Sequence, residues 1–176
     1  TDYDARITEL VARNPHFGGR EIYDELVIED VRNAADVLRP WYDESGGADG
    51  FVSLEPPPQL TRDTAATVME ARRLWRTVSR PNLMIKVVAS PEGVKAVDTL
   101  ISEGINVNIT LMFSMRHYEA VTGAYLRGLE RCMRPESVAS VASFFVSRVD
   151  TQVDKALEAN GTSEALALRG RIAIAN

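Results

Sequence analysis

Apolar positions along the chain recur with two different periods, and the periods alternate. Arg20 to Leu38 carries Ile22, Leu26, Ile28, Val31, Ala35 and Leu38 at close to helical spacing, and Pro40 is expected to end that helix. Gly50 to Glu55 reads as a strand, stopped by Pro56-Pro57-Pro58. Thr61 to Thr77 reads as a helix with Thr61 or Asp63 as N-cap. Leu83 to Ala89 is a second strand, apolar except at Lys86. Ser90-Pro91 then supplies an N-cap serine and an N1 proline for a helix that ends near Gly104. Asn106 to Phe113 predicts a third strand. Ser114 to Glu130 predicts a helix interrupted by Gly123, and 138–146 contains a fourth strand. Thr151 to Ala159 and Ser163 to Asn176 are weaker helical patterns, and Asp2 and Asp4 fall in a terminal helical pattern.

Strand–helix alternation with near-continuous apolar strands is the mark of a parallel sheet covered by helices, an α/β protein. A doubly wound sheet and a (β/α)8 TIM barrel both fit the pattern. A full barrel takes about 250 residues, so the 176 residues here, with four readable strands, would cover only part of one. No stretch is low-complexity enough to act as a linker, so residues 1–176 read as a single domain.

Composition narrows the chemistry. No apolar run approaches the about 20 residues that span a bilayer. The polar start Thr1-Asp2-Tyr3-Asp4 carries no signal-peptide pattern, and Cys132 is the lone cysteine. A reducing, cytoplasmic setting is the simplest expectation. The net charge of -5, with basic residues scattered, argues against nucleic acid as main partner. His16 and His117 are isolated and lack metal-ligand spacing. There is no glycine-rich phosphate loop and no serine-hydrolase elbow. No metal or cofactor is called for.

Of the 20 basic residues only Lys86, Lys95 and Lys155 are lysines, and only a lysine can form an imine, since guanidinium stays protonated. Lys95 and Lys155 lie on amphipathic helices among polar neighbours. Lys86 lies in an apolar strand. It is either a strand-end lysine snorkelling to water or an amine pointing into a barrel interior, where loss of water disfavours the ammonium form and a neutral amine can attack a ketone. Glu55 sits at a strand's C-terminal end, where barrel enzymes build active sites, or is simply solvated. Alternation puts Asn106, Asn108 and Thr110 on one face of the third strand and Val107, Ile109 and Leu111 on the other. That polar face must meet water, ligand or satisfied partners. Ser143 and Arg148 bracket the end of the fourth strand, and an arginine there is suited to phosphate or to a surface pair with Asp150 or Asp154. A lysine, a carboxylate, amides, hydroxyls and an arginine on four successive strands suit a phosphorylated polyhydroxy ketone.

Val52-Ser53-Leu54-Glu55, Leu83 to Val87, Glu103-Gly104-Ile105-Asn106-Val107-Asn108-Ile109-Thr110-Leu111 and Ser143 to Arg148 resemble, in order, the signatures of the transaldolase family. Asp49-Gly50-Phe51, Arg72 to Trp75 and Ala173 to Asn176 resemble its longer bacterial branch. The resemblance implies a (β/α)8 barrel and class I transfer of a dihydroxyacetone unit from a ketose phosphate to an aldose phosphate, in the pentose phosphate pathway or a specialised sugar pathway. It implies Lys86 as the Schiff-base lysine and Glu55 and Thr110 as holders of the proton-shuttling water. Asn108 and Ser143 would contact the dihydroxyacetone part, and Arg148 the phosphate. Sugar phosphates would be the partners, and a homo-oligomer is compatible with the family. Val88, Ser90 and Phe144 stand where the family usually has proline, threonine and proline. The family's first-strand aspartate and second-strand asparagine motifs do not occur in these residues, so the sequence is expected to be part of a longer protein. A shortened homologue is the alternative. A lyase releasing free dihydroxyacetone and a non-catalytic barrel acting as a binding protein are the competing functions.

Overall fold

The computed structural model describes residues 2–175. Its elements run α1 (Asp4–Arg13), α2 (Gly19–Glu44), β1 (Val52–Leu54), α3 (Thr64–Val78), β2 (Leu83–Val88), α4 (Pro91–Ser102), β3 (Val107–Met112), α5 (Met115–Arg131), β4 (Ser140–Phe144), α6 (Ser147–Asn160), α7 (Ser163–Leu166) and α8 (Ile172–Ala175). The four strands pair in chain order, and every pairing is parallel. Consecutive parallel strands joined by helices form the arc that a (β/α)8 barrel repeats.

Local chemistry sets the helix starts. The Asp63 carboxylate accepts from the Ala66 N–H at 3.0 Å, so Asp63 rather than Thr61 caps α3. Ser90 Oγ accepts from the Gly93 N–H at 3.0 Å ahead of Pro91, as predicted for α4. Ser114 Oγ caps α5 through the His117 N–H at 3.3 Å. Three helical expectations fail. The pattern from Ser163 onward divides into the short helices α7 and α8. Gly123 does not interrupt α5, and α2 runs through Pro40 to Glu44. Proline removes one helical hydrogen bond, but the last turn of α2 is secured from outside. Ser45 N–H and Gly47 N–H donate to the Trp41 and Tyr42 carbonyls at 2.9 and 2.8 Å. The Tyr42 ring meets Phe51 edge-on at 5.3 Å. Gly50, at φ +78°, passes so close that an added Cβ would lie 2.6 Å from the Tyr42 nitrogen.

The apolar core lies between the sheet and its helices. Leu83, Ile85 and Val87 of β2 and Val107 and Ile109 of β3 pack on Ala71, Leu74 and Val78 of α3, Val97, Leu100 and Ile101 of α4, and Val121 and Ala124 of α5. Strand residues two apart share a face, so Met84, Lys86 and Val88 point away from the helices. The register carries that inner face across the sheet: Ser53 pairs with Met84, Lys86 with Asn108, and Asn108 with Val141.

One strand leaves its alternation. Ile109 pairs with Ala142 and Met112 with Phe144, so two residues of β3 oppose one of β4. The extra residue is Leu111, whose φ is +59°. This β-bulge corrects the expected faces of β3: Leu111 does not follow Val107 and Ile109 into the core, and Met112 takes that place, fully buried.

Candidate active site

The inner face gathers the polar side chains that the strands carry. Lys86 Nζ lies 3.6 Å from Glu55 Oε2, and its side chain is 31% exposed. It thus stands partly withdrawn from water and beside a carboxylate. Glu55 follows β1 directly and sits two residues beyond Ser53, on the same face. Buried Pro56 leads the chain away from it. Lys95 and Lys155 are exposed on α4 and α6, away from this face.

Asn108, the register partner of Lys86, has its amide held at both ends. Ser143 Oγ donates to Asn108 Oδ1 at 2.8 Å, and Asn108 Nδ2 donates to Ser53 Oγ at 2.9 Å. The chain Ser143–Asn108–Ser53 therefore spans β4, β3 and β1 and crosses β2 between Met84 and Lys86. It fixes the amide's orientation and leaves one N–H of Asn108 free to donate to a ligand. Ser53 was not singled out from sequence. Its signal was the alternation Val52-Ser53-Leu54-Glu55, which puts two polar residues on one face of a short strand.

Thr110 is 1% exposed, and its hydroxyl is buried without a hydrogen-bond partner. Its register partner is Val88, two residues beyond Lys86 on the same face. Buried hydroxyls are nearly always bonded, so Thr110 holds an unspent hydrogen-bonding group on the strand face that carries Asn108. Asn106 behaves differently. Its Nδ2 donates to the Pro81 and Leu83 carbonyls at 3.1 Å each, and its Oδ1 accepts from the Ala139 N–H at 2.8 Å. It ties β2 and β4 together below the site.

Arg148 is set apart from the lysine cluster. It lies in the first turn of α6, exposed, with its guanidinium 4.3 Å from the centre of the Phe145 ring. It makes no ion pair with Asp150 or Asp154; instead Asp150 and Asp154 accept from the Ala173 and Gly170 N–H groups at 3.1 and 3.0 Å. Arg148 lines a cleft of ≈ 560 Å³ with Phe113, Val149 and Gln152. A Cβ on Gly93 would lie 1.9 Å from the Val88 carbonyl, so α4 begins against the end of β2.

The whole chain, residues 1–176, matches the model of the Transaldolase/Fructose-6-phosphate aldolase family. The chain belongs to that family. Transaldolase of Thermobifida fusca is 50% identical over 178 residues, covering 99% of this chain and 48% of that protein. Transaldolase of Thiobacillus denitrificans is 53% identical over 159 residues, covering 87% of this chain and 44% of that protein. Transaldolase of Mycolicibacterium smegmatis is 46% identical over 180 residues, with 100% of this chain and 48% of that protein covered. The chain therefore spans about half the length of the curated relatives it matches. Its four-stranded parallel sheet is consistent with part of a transaldolase-family barrel. Among the described residues no helix is long and apolar enough to cross a membrane.

Proposed function

We propose that the protein containing this chain is a transaldolase of the pentose phosphate pathway or a specialised sugar pathway, working in the cytoplasm, and that residues 1–176 are a single domain forming part of a transaldolase-like barrel. The observation that carries the reading is Lys86: an amine on the inner face of an otherwise apolar strand, 3.6 Å from a carboxylate. Its nitrogen attacks the ketone carbon of a ketose phosphate. Water leaves, and an iminium forms. The C4 hydroxyl then gives up its proton, and the bond between the third and fourth sugar carbons breaks with its electron pair flowing into the iminium to give an enamine. The rest of the sugar leaves as an aldose phosphate, so no free carbanion arises.

Glu55 and Thr110 hold the water through which protons move, and the unpartnered Thr110 hydroxyl supports this role. Asn108 and Ser143 donate to the hydroxyls of the dihydroxyacetone unit, and their mutual bond pre-orients them. Arg148 meets the phosphate. The three-carbon unit stays on Lys86 until an aldose phosphate accepts it.

Borohydride trapping with fructose 6-phosphate, followed by peptide mass mapping, tests the assignment. Label is expected on the peptide carrying Lys86 and absent in Lys86→Arg. Label on Lys95 or Lys155 would end the site assignment. Rapid release of free dihydroxyacetone without an acceptor aldehyde would mean a lyase instead of a transferase.

A further inference from the structure

The bulge in β3 has a consequence for the far end of the site. Without it, Phe113 would share a face with Ile109 and Leu111 and point toward the helices. Leu111 at φ +59° inserts one residue, so Met112 takes the core side beside Ile109 and Phe113 turns to the inner face. There its ring stacks on Phe145 at 5.7 Å with 29° between planes. Phe145 lies two residues beyond Ser143, and the Arg148 guanidinium lies 4.3 Å from the centre of the Phe145 ring. Leucine seldom adopts positive φ, and strain of this kind persists where surrounding structure requires it.

We propose that Leu111 and Phe113 are positioning residues: the left-handed bulge delivers Phe113 to Phe145, and the aromatic pair fixes the Arg148 guanidinium for the anionic end of the substrate. Arg148 itself is exposed and has four rotatable side-chain torsions to lose on binding. A Phe145 ring held by its stack with Phe113 reduces that loss, because cation–π contact selects one guanidinium placement. The inference rests on reading the Lys86 face as a sugar-phosphate site, and it concerns binding of the phosphate rather than the imine step.

The test uses the full-length protein with fructose 6-phosphate and with fructose, which lacks the phosphate. Phe113→Ala is expected to raise KM for fructose 6-phosphate about tenfold while kcat stays within about twofold, with fructose turnover unchanged. Phe113→Tyr, which keeps the ring, should restore KM. Leu111→Gly, free at positive φ, should resemble wild type, whereas β-branched Leu111→Ile should reproduce the Phe113→Ala defect. Equal losses on both sugars, or an unchanged KM in Phe113→Ala, would overturn the proposal. Equal defects in Leu111→Gly and Leu111→Ile would remove the bulge from it. Borohydride trapping of wild type runs alongside. Trapping at Lys86 with a silent Phe113→Ala sinks this inference alone; no trapping in wild type sinks the site reading, and this with it.

Discussion

Ser53 is joined to the site through Asn108, whose Nδ2 donates to it at 2.9 Å. Loss of that acceptor frees one end of the amide that Ser143 orients from the other. Because one neutral hydrogen bond contributes about 1 kcal/mol, Ser53→Ala in the full-length protein is expected to lower kcat/KM for fructose 6-phosphate about fivefold. Ser53→Thr, which keeps the hydroxyl, should recover most of it, and Ser53→Ala with wild-type kinetics would remove Ser53 from the site. At this scale the sequence was informative where chemistry was conspicuous. Lys86 stood out because charge interrupts an apolar run. Asn108 and Thr110 stood out by alternation, although the same alternation grouped them with Asn106, whose amide is spent on backbone. Leu111 was illegible, because nothing in a leucine's identity announces a positive φ, and the bulge arises from pairing with β4.

Helices α4 and α5 are latched by one carboxylate. Asp98 accepts from Arg127 at 3.0 Å and from Arg131, both on α5. Burial is the largest single influence on Asp98 and pushes its carboxyl up, but the hydrogen bonds and charges of Arg131 and Arg127 together hold it below its ordinary range. A depressed carboxylate contributes stability that is present above its unfolded pKa and lost as pH falls through the folded value. Thermal melts should therefore place Asp98→Asn below wild type at pH 7, with the gap closing below about pH 4. An equal gap at both ends of that range would show that the pair does not couple to folding. Neither the latch nor the continuation of α2 past Pro40 follows from local sequence. Both depend on partners that meet only in the fold: Asp98 with Arg131, and Tyr42 with Phe51 and Gly50. Capping was legible in advance at Ser90-Pro91, which acts on its own next turn.

The sheet as a whole is an arc with polar chemistry on its inner side and a dry core on the other. Sequence pattern supplied the strand–helix alternation but left barrel and doubly wound sheet equally open; the strand order β1-β2-β3-β4 with one layer of core contacts, together with the family match, favours the barrel arc. Among the described residues β1 and β4 each pair on one side only. On β4's inner face Val141 is 44% exposed, and on α2 Tyr23, Val37 and Trp41 are 63%, 68% and 58% exposed. Parallel sheets are rarely left open in this way, and unpaired strand edges recruit other chains. Exposed apolar surface of this kind adds a driving force that grows with its area. Residues 1–176 expressed by themselves should accordingly self-associate with rising concentration in sedimentation velocity. The outward amides of β1 and β4 should exchange with solvent faster than the doubly paired amides of β2 and β3. A chain of residues 1–176 that stays monomeric, with protected β1 and β4 amides, would show that the arc closes its own edges and that the inner face around Lys86 needs no further strands to be shielded.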